Sequence, residues 1–523
     1  MATSRKKVEH LSTFIYPILF SLYPPLALLA YNIHEVQIAD AYRSFLISLG
    51  MCFLLLVLFK ILFKNWTKAA LSTTLALFLF FTYGHTYDLL REAEFLGFRF
   101  GRHRYLILVC LGIFIFGVFW GIRTMRAPQR LTPFMNTITV IAILIPLFNI
   151  STYLFENPEA LSSPPPAEII WDTSSTPGEQ TLPDIYYIIM DAYSRDDYLL
   201  EAFQFSNTPF LTNLEEMGFY VSRCSQSNYA QTKLSLSTAL NLDYLETFYD
   251  REVEGEIERG KNLEKYIKHG QVREILEGLG YKTIAFETGW NFTQITDADL
   301  YLSLENKHPE TPGLFSPINK FETFLVRSSA LSFIIAVSPP LADVLLPFLD
   351  YPNQEHREIV LFALDQLEKI PNLSGPKFIF AHIVSPHKPI VFGAQGEKLI
   401  KEPDYQKGYP KQIIYLNSRL EALLDHIIQD SAIPPIIVIQ GDHGALQNVG
   451  VEGRLAILNA YYFPEGGSQY LYPSITPVNT FRLILNIYFG MDYELLEDVS
   501  RYSVYKDPQN YTIIPNTCEG RTN

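Results

Sequence analysis

Cysteine is scarce in this chain, and charge is missing from much of its first third. Four of the 523 residues are cysteine, and no CxxC or other zinc-ligand spacing occurs. That excludes a zinc ribbon and a disulfide-dense scaffold. Cys52 and Cys110 lie in apolar segments; Cys224 and Cys518 lie in the acidic remainder. The last two are read either as a disulfide in an oxidising compartment or as two lone thiols. Asp, Glu, Lys and Arg are absent from Leu11–Ile33, Ser44–Phe59, Ala69–Tyr87, Tyr105–Ile122 and Leu131–Phe155. A membrane span needs about 20 apolar residues. The five runs are therefore read as five transmembrane helices, the short second one extended to Phe63 by a snorkelling Lys60. The first run exceeds the roughly 7–15 apolar residues of a cleavable signal peptide, so it is read as retained.

What charge there is divides unevenly. Residues 1–150 carry 14 Lys and Arg against 6 Asp and Glu, and the rest of the chain carries 27 against 49. An acidic C-terminal part repels nucleic-acid phosphates, so no nucleic-acid partner is expected. Arg5, Lys6 and Lys7, then Lys60, Lys64 and Lys68, then Arg123, Arg126 and Arg130 occupy alternate loops. Those loops are expected to be cytoplasmic. Five spans then put everything after Phe155 outside the cell membrane. The loop Asp88–Arg104 falls outside yet holds Arg91, Arg99, Arg102 and Arg104. It is read as flanking the bilayer.

Three parts follow: membrane helices over 1–155, a linker over 156–182 and an external domain over 183–523. The linker carries Pro164-Pro165-Pro166 and Pro177-Gly178, a semi-rigid tether. The external part alternates strands with helices: strands at Asp184–Met190, Lys282–Phe286, Phe378–Ile383 and Ile436–Ile439, helices at Asn262–Leu279, Lys411–Ile428 and Thr476–Gly490. This is the pattern of an α/β fold with a mostly parallel sheet between helices.

Several strands run into chemistry at their carboxyl ends, where open α/β sheets place their sites. Asp191 ends the first, His387 follows the third, and Asp442-His443 follow the fourth. One hard oxygen and one imidazole side by side suit a divalent metal; the plain alternative is a strand-ending turn. Thr232 opens an apolar helical stretch, where backbone N–H groups favour a bound phosphate or sulfate. Taken alone it reads as a helix cap.

The order Asp191, Thr232, His387, Asp442-His443 resembles the alkaline phosphatase/sulfatase superfamily. The segments PDIYYIIMD, QTKLSLS, FAHIVSPHKP, QGDHG, RLAILNAYYFP and TPVNTFRLILNIYFG resemble its membrane-anchored sulfatase-like hydrolase/transferases. That branch includes lipoteichoic acid synthases and phosphoethanolamine transferases. The resemblance implies an alkaline-phosphatase-like external domain and one divalent ion, Mn, Zn or Mg, on Asp191, Thr232, Asp442 and His443. It implies Thr232 as nucleophile and His387 on the substrate or leaving-group oxygen. His382, Lys233 and Arg454 are further candidates for binding substrate, the alternatives being a buried structural histidine for His382 and plainly solvated cations for Lys233 and Arg454.

The chain also departs from the family. Thr232-Lys233-Leu234-Ser235-Leu236 lacks the C/S-x-P-x-R segment from which sulfatases make formylglycine, and no histidine follows His443. The first departure disfavours sulfate chemistry, the second a two-metal centre. Asp191 stands where lipoteichoic acid synthases and phosphoethanolamine transferases usually carry Glu, which leaves the substrate open. The expected activity is metal-dependent phosphotransfer or phosphodiester cleavage at the outer membrane face, on a lipid or envelope phosphodiester. Sulfuric or phosphoric ester hydrolysis is one alternative. An inactive envelope-assembly or binding protein of the same fold is another.

Overall fold

The computed structural model describes residues 2–33, 36, 38–90, 94–95, 98–99, 101–123, 130–156, 182–249, 263–304, 318–333, 351–399, 402–504 and 507–518. The expected linker lies, apart from its ends, outside the described residues. The chain forms two compact units, Met1–Ser163 with Thr311–Pro352, and Pro164–Glu310 with Asn353–Asn523. Residues 311–352, which the sequence reading leaves in the external domain, thus group with the N-terminal helices.

The first unit is built on five helices: α1 (Ala2–Tyr31), α2 (Tyr42–Phe63), α3 (Trp66–Leu90), α4 (His103–Arg123) and α5 (Leu131–Glu156). A small ribbon, β1 (Glu94–Phe95) with β2 (Phe98–Arg99), lies between α3 and α4. Among the described residues, four stretches are long and apolar enough to cross a membrane: Ser12–Tyr31, Ile38–Phe63, His103–Trp120 and Leu131–Phe155. The fifth expected span, in α3, is long enough at 25 residues but does not reach that apolarity. It carries Ser72, Thr73, Thr74, Thr82 and Thr86. The hydroxyls of Thr74, Thr82 and Thr86 donate to carbonyls four residues back, at 3.0, 2.6 and 2.8 Å, which satisfies them within the helix itself. One face of α3, with Ala70, Leu77 and Phe81, is buried against Tyr16 of α1 and Cys52 and Leu56 of α2.

The second unit is organised by a seven-stranded sheet. Its strands are β3 (Ile185–Met190), β4 (Tyr220–Val221), β5 (Lys282–Phe286), β6 (Leu300–Leu302), β7 (Lys377–Ile383), β8 (Ile436–Gln440) and β9 (Asn459–Tyr462), in the order β4-β9-β8-β3-β7-β5-β6. β8, β3, β7, β5 and β6 run parallel; β9 is antiparallel to both its neighbours, β8 and β4. The central strand β3 shows why its sequence is an unbroken apolar run. Tyr186, Ile188 and Met190 pack into the core on one face, and Ile185, Tyr187 and Ile189 into the core on the other. A strand covered on both sides has no solvent face to alternate toward. The expected long helix Asn262–Leu279 is two helices, Leu263–Lys268 and Gln271–Gly278. The break falls at Gly270, where a Cβ would stand 2.9 Å from Leu240. The late helix is Pro477–Phe489, closed by Gly490 in the left-handed conformation, as its sequence requires. Cys224 and Cys518 form a disulfide.

Candidate active site

The site stands at the carboxyl ends of three adjacent strands, β8, β3 and β7. Asp191 is the residue after β3. It is anchored by its backbone, because its N–H donates to the Ile383 carbonyl (3.0 Å) and its carbonyl accepts from His387 N–H (2.9 Å). Asp442 and His443 follow β8, and Thr232 is the first residue of the helix Thr232–Leu240. Asp191, Asp442 and His443 are fully buried, and they offer ligand atoms all within 4.8 Å of one another. Thr232 Oγ1 lies 3.3 Å from His443 Nε2.

Each carboxylate uses one oxygen to hold its position and presents the other. Asp191 Oδ2 lies 3.2 Å from His382 Nε2, and Asp442 Oδ1 accepts from the Ala192 N–H at 3.0 Å. Ala192 donates from φ 63°, a left-handed conformation uncommon for a residue with a Cβ. The other oxygens, Asp191 Oδ1 and Asp442 Oδ2, are buried with no hydrogen-bond partner. Both point at one atom, His443 Nε2, at 3.5 and 3.4 Å. His443 Nδ1 is 2.9 Å from the Gly444 carbonyl, which only accepts. The proton therefore sits on Nδ1 and the lone pair of Nε2 faces the carboxylates. Burial pushes the His443 imidazole well below its usual pKa, with the Arg454 cation acting the same way, so it is neutral and able to ligate.

The two acids repel each other at close quarters. Burial and the Asp191 charge push the Asp442 carboxyl up to about 6. Burial also raises Asp191, but His387, His382 and His443 together hold it below the usual carboxylate range. Buried oxygens without partners are costly, by several kcal/mol for an anion. A divalent cation placed between Asp191 Oδ1, Asp442 Oδ2, His443 Nε2 and Thr232 Oγ1 removes that cost. The donor set, hard oxygens with one imidazole, fits such an ion.

The remaining expected residues take distinct places. Thr232 does not cap its helix: the cap position is Gln231, and no side chain there makes a capping bond. His387 is half-buried, with Nδ1 2.7 Å from the Lys388 carbonyl, and its ring is 6.2 Å from that of His443. His382 is enclosed, with Nε2 on Asp191 and Nδ1 3.2 Å from Thr293 Oγ1. Both ring nitrogens are engaged, and the Nε2 contact braces Asp191. Lys233 lies 3.8 Å from Glu264 and 4.6 Å over the Phe292 ring. Arg454 donates to the carbonyls of Ala230 (3.0 Å) and Gly444 (3.1 Å) and rests its third nitrogen 3.3 Å from His443 Nε2. It thus ties the Thr232 loop to the His443 loop.

Sequence reasoning missed the Trp290–Thr293 segment. Trp290 stands edge-on to His387 at 5.0 Å, and Thr293 holds His382. The signal was available: this segment follows β5, whose end lies on the same sheet edge.

A parallel sheet with this acid–acid–imidazole set past its central strands, beside a helix-start hydroxyl, has the layout of the alkaline phosphatase/sulfatase superfamily. The family model described as Sulfatase matches residues 183–481, more than half of the chain, and the chain belongs to that family. Three solved structures illustrate the likeness. The C-terminal periplasmic domain of EcEptC from Escherichia coli is 13% identical, with a TM-score of 0.40, over 64% of this chain and 93% of that one. The integral membrane lipooligosaccharide phosphoethanolamine transferase A from Neisseria meningitidis is 11% identical, with a TM-score of 0.38, over 90% of this chain and 95% of that one. The lipoteichoic acid synthase LtaP from Listeria monocytogenes is 12% identical, with a TM-score of 0.35, over 59% and 72%. No curated protein matches the chain.

Proposed function

We propose that this chain is a metal-dependent phosphotransferase or phosphodiesterase acting at the outer membrane face, with Thr232 as its nucleophile. One observation carries the reading: the unpartnered Asp191 Oδ1 and Asp442 Oδ2 converge with His443 Nε2 and Thr232 Oγ1. Mn, Zn or Mg held by these four would lower the pKa of the Thr232 hydroxyl and offset charge on the phosphoryl oxygens. Thr232 Oγ attacks the phosphodiester phosphorus and gives up its proton. The bond to the leaving oxygen breaks, and that oxygen takes up a proton and departs as an alcohol. Thr232 is left carrying the phosphoryl group with its remaining ester substituent. An acceptor alcohol or water then attacks the same phosphorus and regenerates Thr232. His387, its Nδ1 on the Lys388 carbonyl, turns Nε2 toward the leaving oxygen and hydrogen-bonds it when protonated. Arg454 supplies positive charge beside the bound anion.

A threonine without the C/S-x-P-x-R segment favours phosphoryl over sulfuryl transfer, despite the name of the family. The apolar helices in the same chain favour a lipid or envelope phosphodiester as substrate. The full-length protein in lipid vesicles with Mn²⁺ should cleave a phosphodiester and not an aryl sulfate, and a chelator should stop it. Preferential cleavage of the sulfate would overturn the reading.

Five crossings, with α3 counted as one of them, would put the catalytic unit outside. α2 leaves the end of the bundle where Arg43 lies. α3 returns to it, because Arg43 and Gly84 both meet the helix Lys320–Ser328. The alternate basic loops and the disulfide agree with an outer, oxidising location. A reporter active only outside should work when fused after Phe155 and fail after Arg126; the reverse pattern would invert the topology.

A further inference from the structure

We propose that residues 319–333 are a second membrane anchor for the catalytic polypeptide: an insertion between β6 and β7 that docks into the ends of the α1–α5 bundle. The proposal rests on the reading that these helices cross a membrane, and it adds an attachment independent of the linker after α5.

Four observations within the first unit carry it. The first is an ion pair across 279 residues of sequence. Arg43 Nε donates to Glu322 Oε1 at 2.8 Å and its Nη2 to Oε2 at 2.6 Å, and the two side chains are 4% and 10% exposed. A two-pronged, buried Arg–carboxylate pair is demanding in geometry, and either partner left alone is strongly unfavourable. The second is the way the insertion starts. Asn319 and Glu322 form a capping box on the helix Lys320–Ser328, and Asn319 Nδ2 also donates to the Asp40 carbonyl at 2.9 Å. Helix formation and docking thus use the same residues. Phe321, fully buried, packs with Leu29, Ile33, Ala41, Ile150 and Tyr153.

The third is a notch in α3. A Cβ on Gly84 would overlap the Arg327 carbonyl and the Ser328 backbone, so only glycine lets the two backbones approach this closely. The fourth is a backbone bond to α3. The Ala330 N–H donates to the Phe80 carbonyl at 2.8 Å. Phe333 packs at 6.2 Å from the Tyr83 ring and 6.3 Å from that of His103. Tyr83, three positions after Phe80 on α3, stacks on His103, the first residue of α4, so Phe80 lies about 4.5 Å, just under one turn, inside the level at which α4 begins. The insertion backbone therefore enters the end of the bundle itself, bonded to α3 and with Phe333 against the start of α4. A surface loop resting on the headgroups would have no reason for the buried ion pair, the glycine notch or the bond to Phe80.

The test separates the two attachments. A protease site is placed within 157–181 of the full chain, the protein is cut in native membranes, and the membranes are washed with high salt and alkaline carbonate. The C-terminal fragment is expected to stay with the membranes. Arg43→Glu should release most of it after cutting, and Arg43→Glu combined with Glu322→Arg should restore retention. Gly84→Leu should also release it. Release of the wild-type fragment after complete cleavage would overturn the proposal, as would full retention in both Arg43→Glu and Gly84→Leu. Extraction of the N-terminal fragment by carbonate would instead count against the membrane reading. Thr232→Ala should behave as wild type throughout, so retention and catalysis fail independently.

Discussion

Thr232→Ala should reduce turnover by roughly four orders of magnitude or more, the scale seen when a nucleophile is removed, while leaving the fold intact. The structure sharpens the comparison. A threonine that capped its helix would, on truncation, cost about 1 kcal/mol of stability. Thr232 stands one position inside the helix, and its oxygen is turned toward His443 at 3.3 Å instead of toward a backbone N–H. Alanine should therefore be close to neutral in thermal unfolding of the metal-free protein and severe in catalysis. Thr232→Ser keeps the oxygen and should retain part of the activity. Enzyme quenched during turnover should carry added mass on the Thr232 peptide in wild type and none in the alanine variant. Normal turnover by Thr232→Ala would sink the nucleophile assignment, whatever the family membership implies.

Asp442→Asn should abolish metal-dependent stabilisation. Asparagine keeps an acceptor for the Ala192 N–H but replaces the unpartnered anionic oxygen. In metal-free protein it also removes one of two buried carboxylates that repel each other. The metal-free variant should therefore be at least as stable as metal-free wild type. Wild type should gain stability on adding the ion, about 2.7 kcal/mol when the metal is at 100 times its Kd, and the variant should gain almost none. Calorimetry with and without Mn²⁺, together with metal analysis of the purified protein, checks both halves. Full occupancy and an unchanged metal-induced shift in Asp442→Asn would take this residue out of the site.

Much of this architecture follows from local sequence. The runs at Ile185–Met190 and Ile436–Ile439 are apolar at every position because both faces of the strand are covered, and that leaves a mark no neighbour can erase. Asp191 and Asp442-His443 are visible because the strands stop where they begin. The apolar helices of the first unit are visible because a membrane demands long uncharged runs. Other features were not legible. Thr232 as cap or ligand turns on a one-residue difference in where the helix begins. His382 reads equally well as a substrate contact or a buried structural histidine; only the fold brings Thr293 and Asp191 to its two nitrogens. The Cys224–Cys518 pair closes over 294 residues, and either pairing or separate thiols fitted the composition.

The grouping of 311–352 with the membrane helices was the largest surprise. It depends on Arg43 meeting Glu322 and on Gly84 meeting the Ser328 backbone, contacts between segments more than two hundred residues apart. The sequence by itself determined the apolar helices, the parallel sheet and the strand ends that carry the chemistry, because each is set by the spacing of neighbouring residues. Only the tertiary structure decided which oxygen of each carboxylate faces the shared site, which histidine braces Asp191 and which lies between the two free carboxylate oxygens, and where the insertion lodges. Those depend on distances between residues that the chain brings together only when it folds.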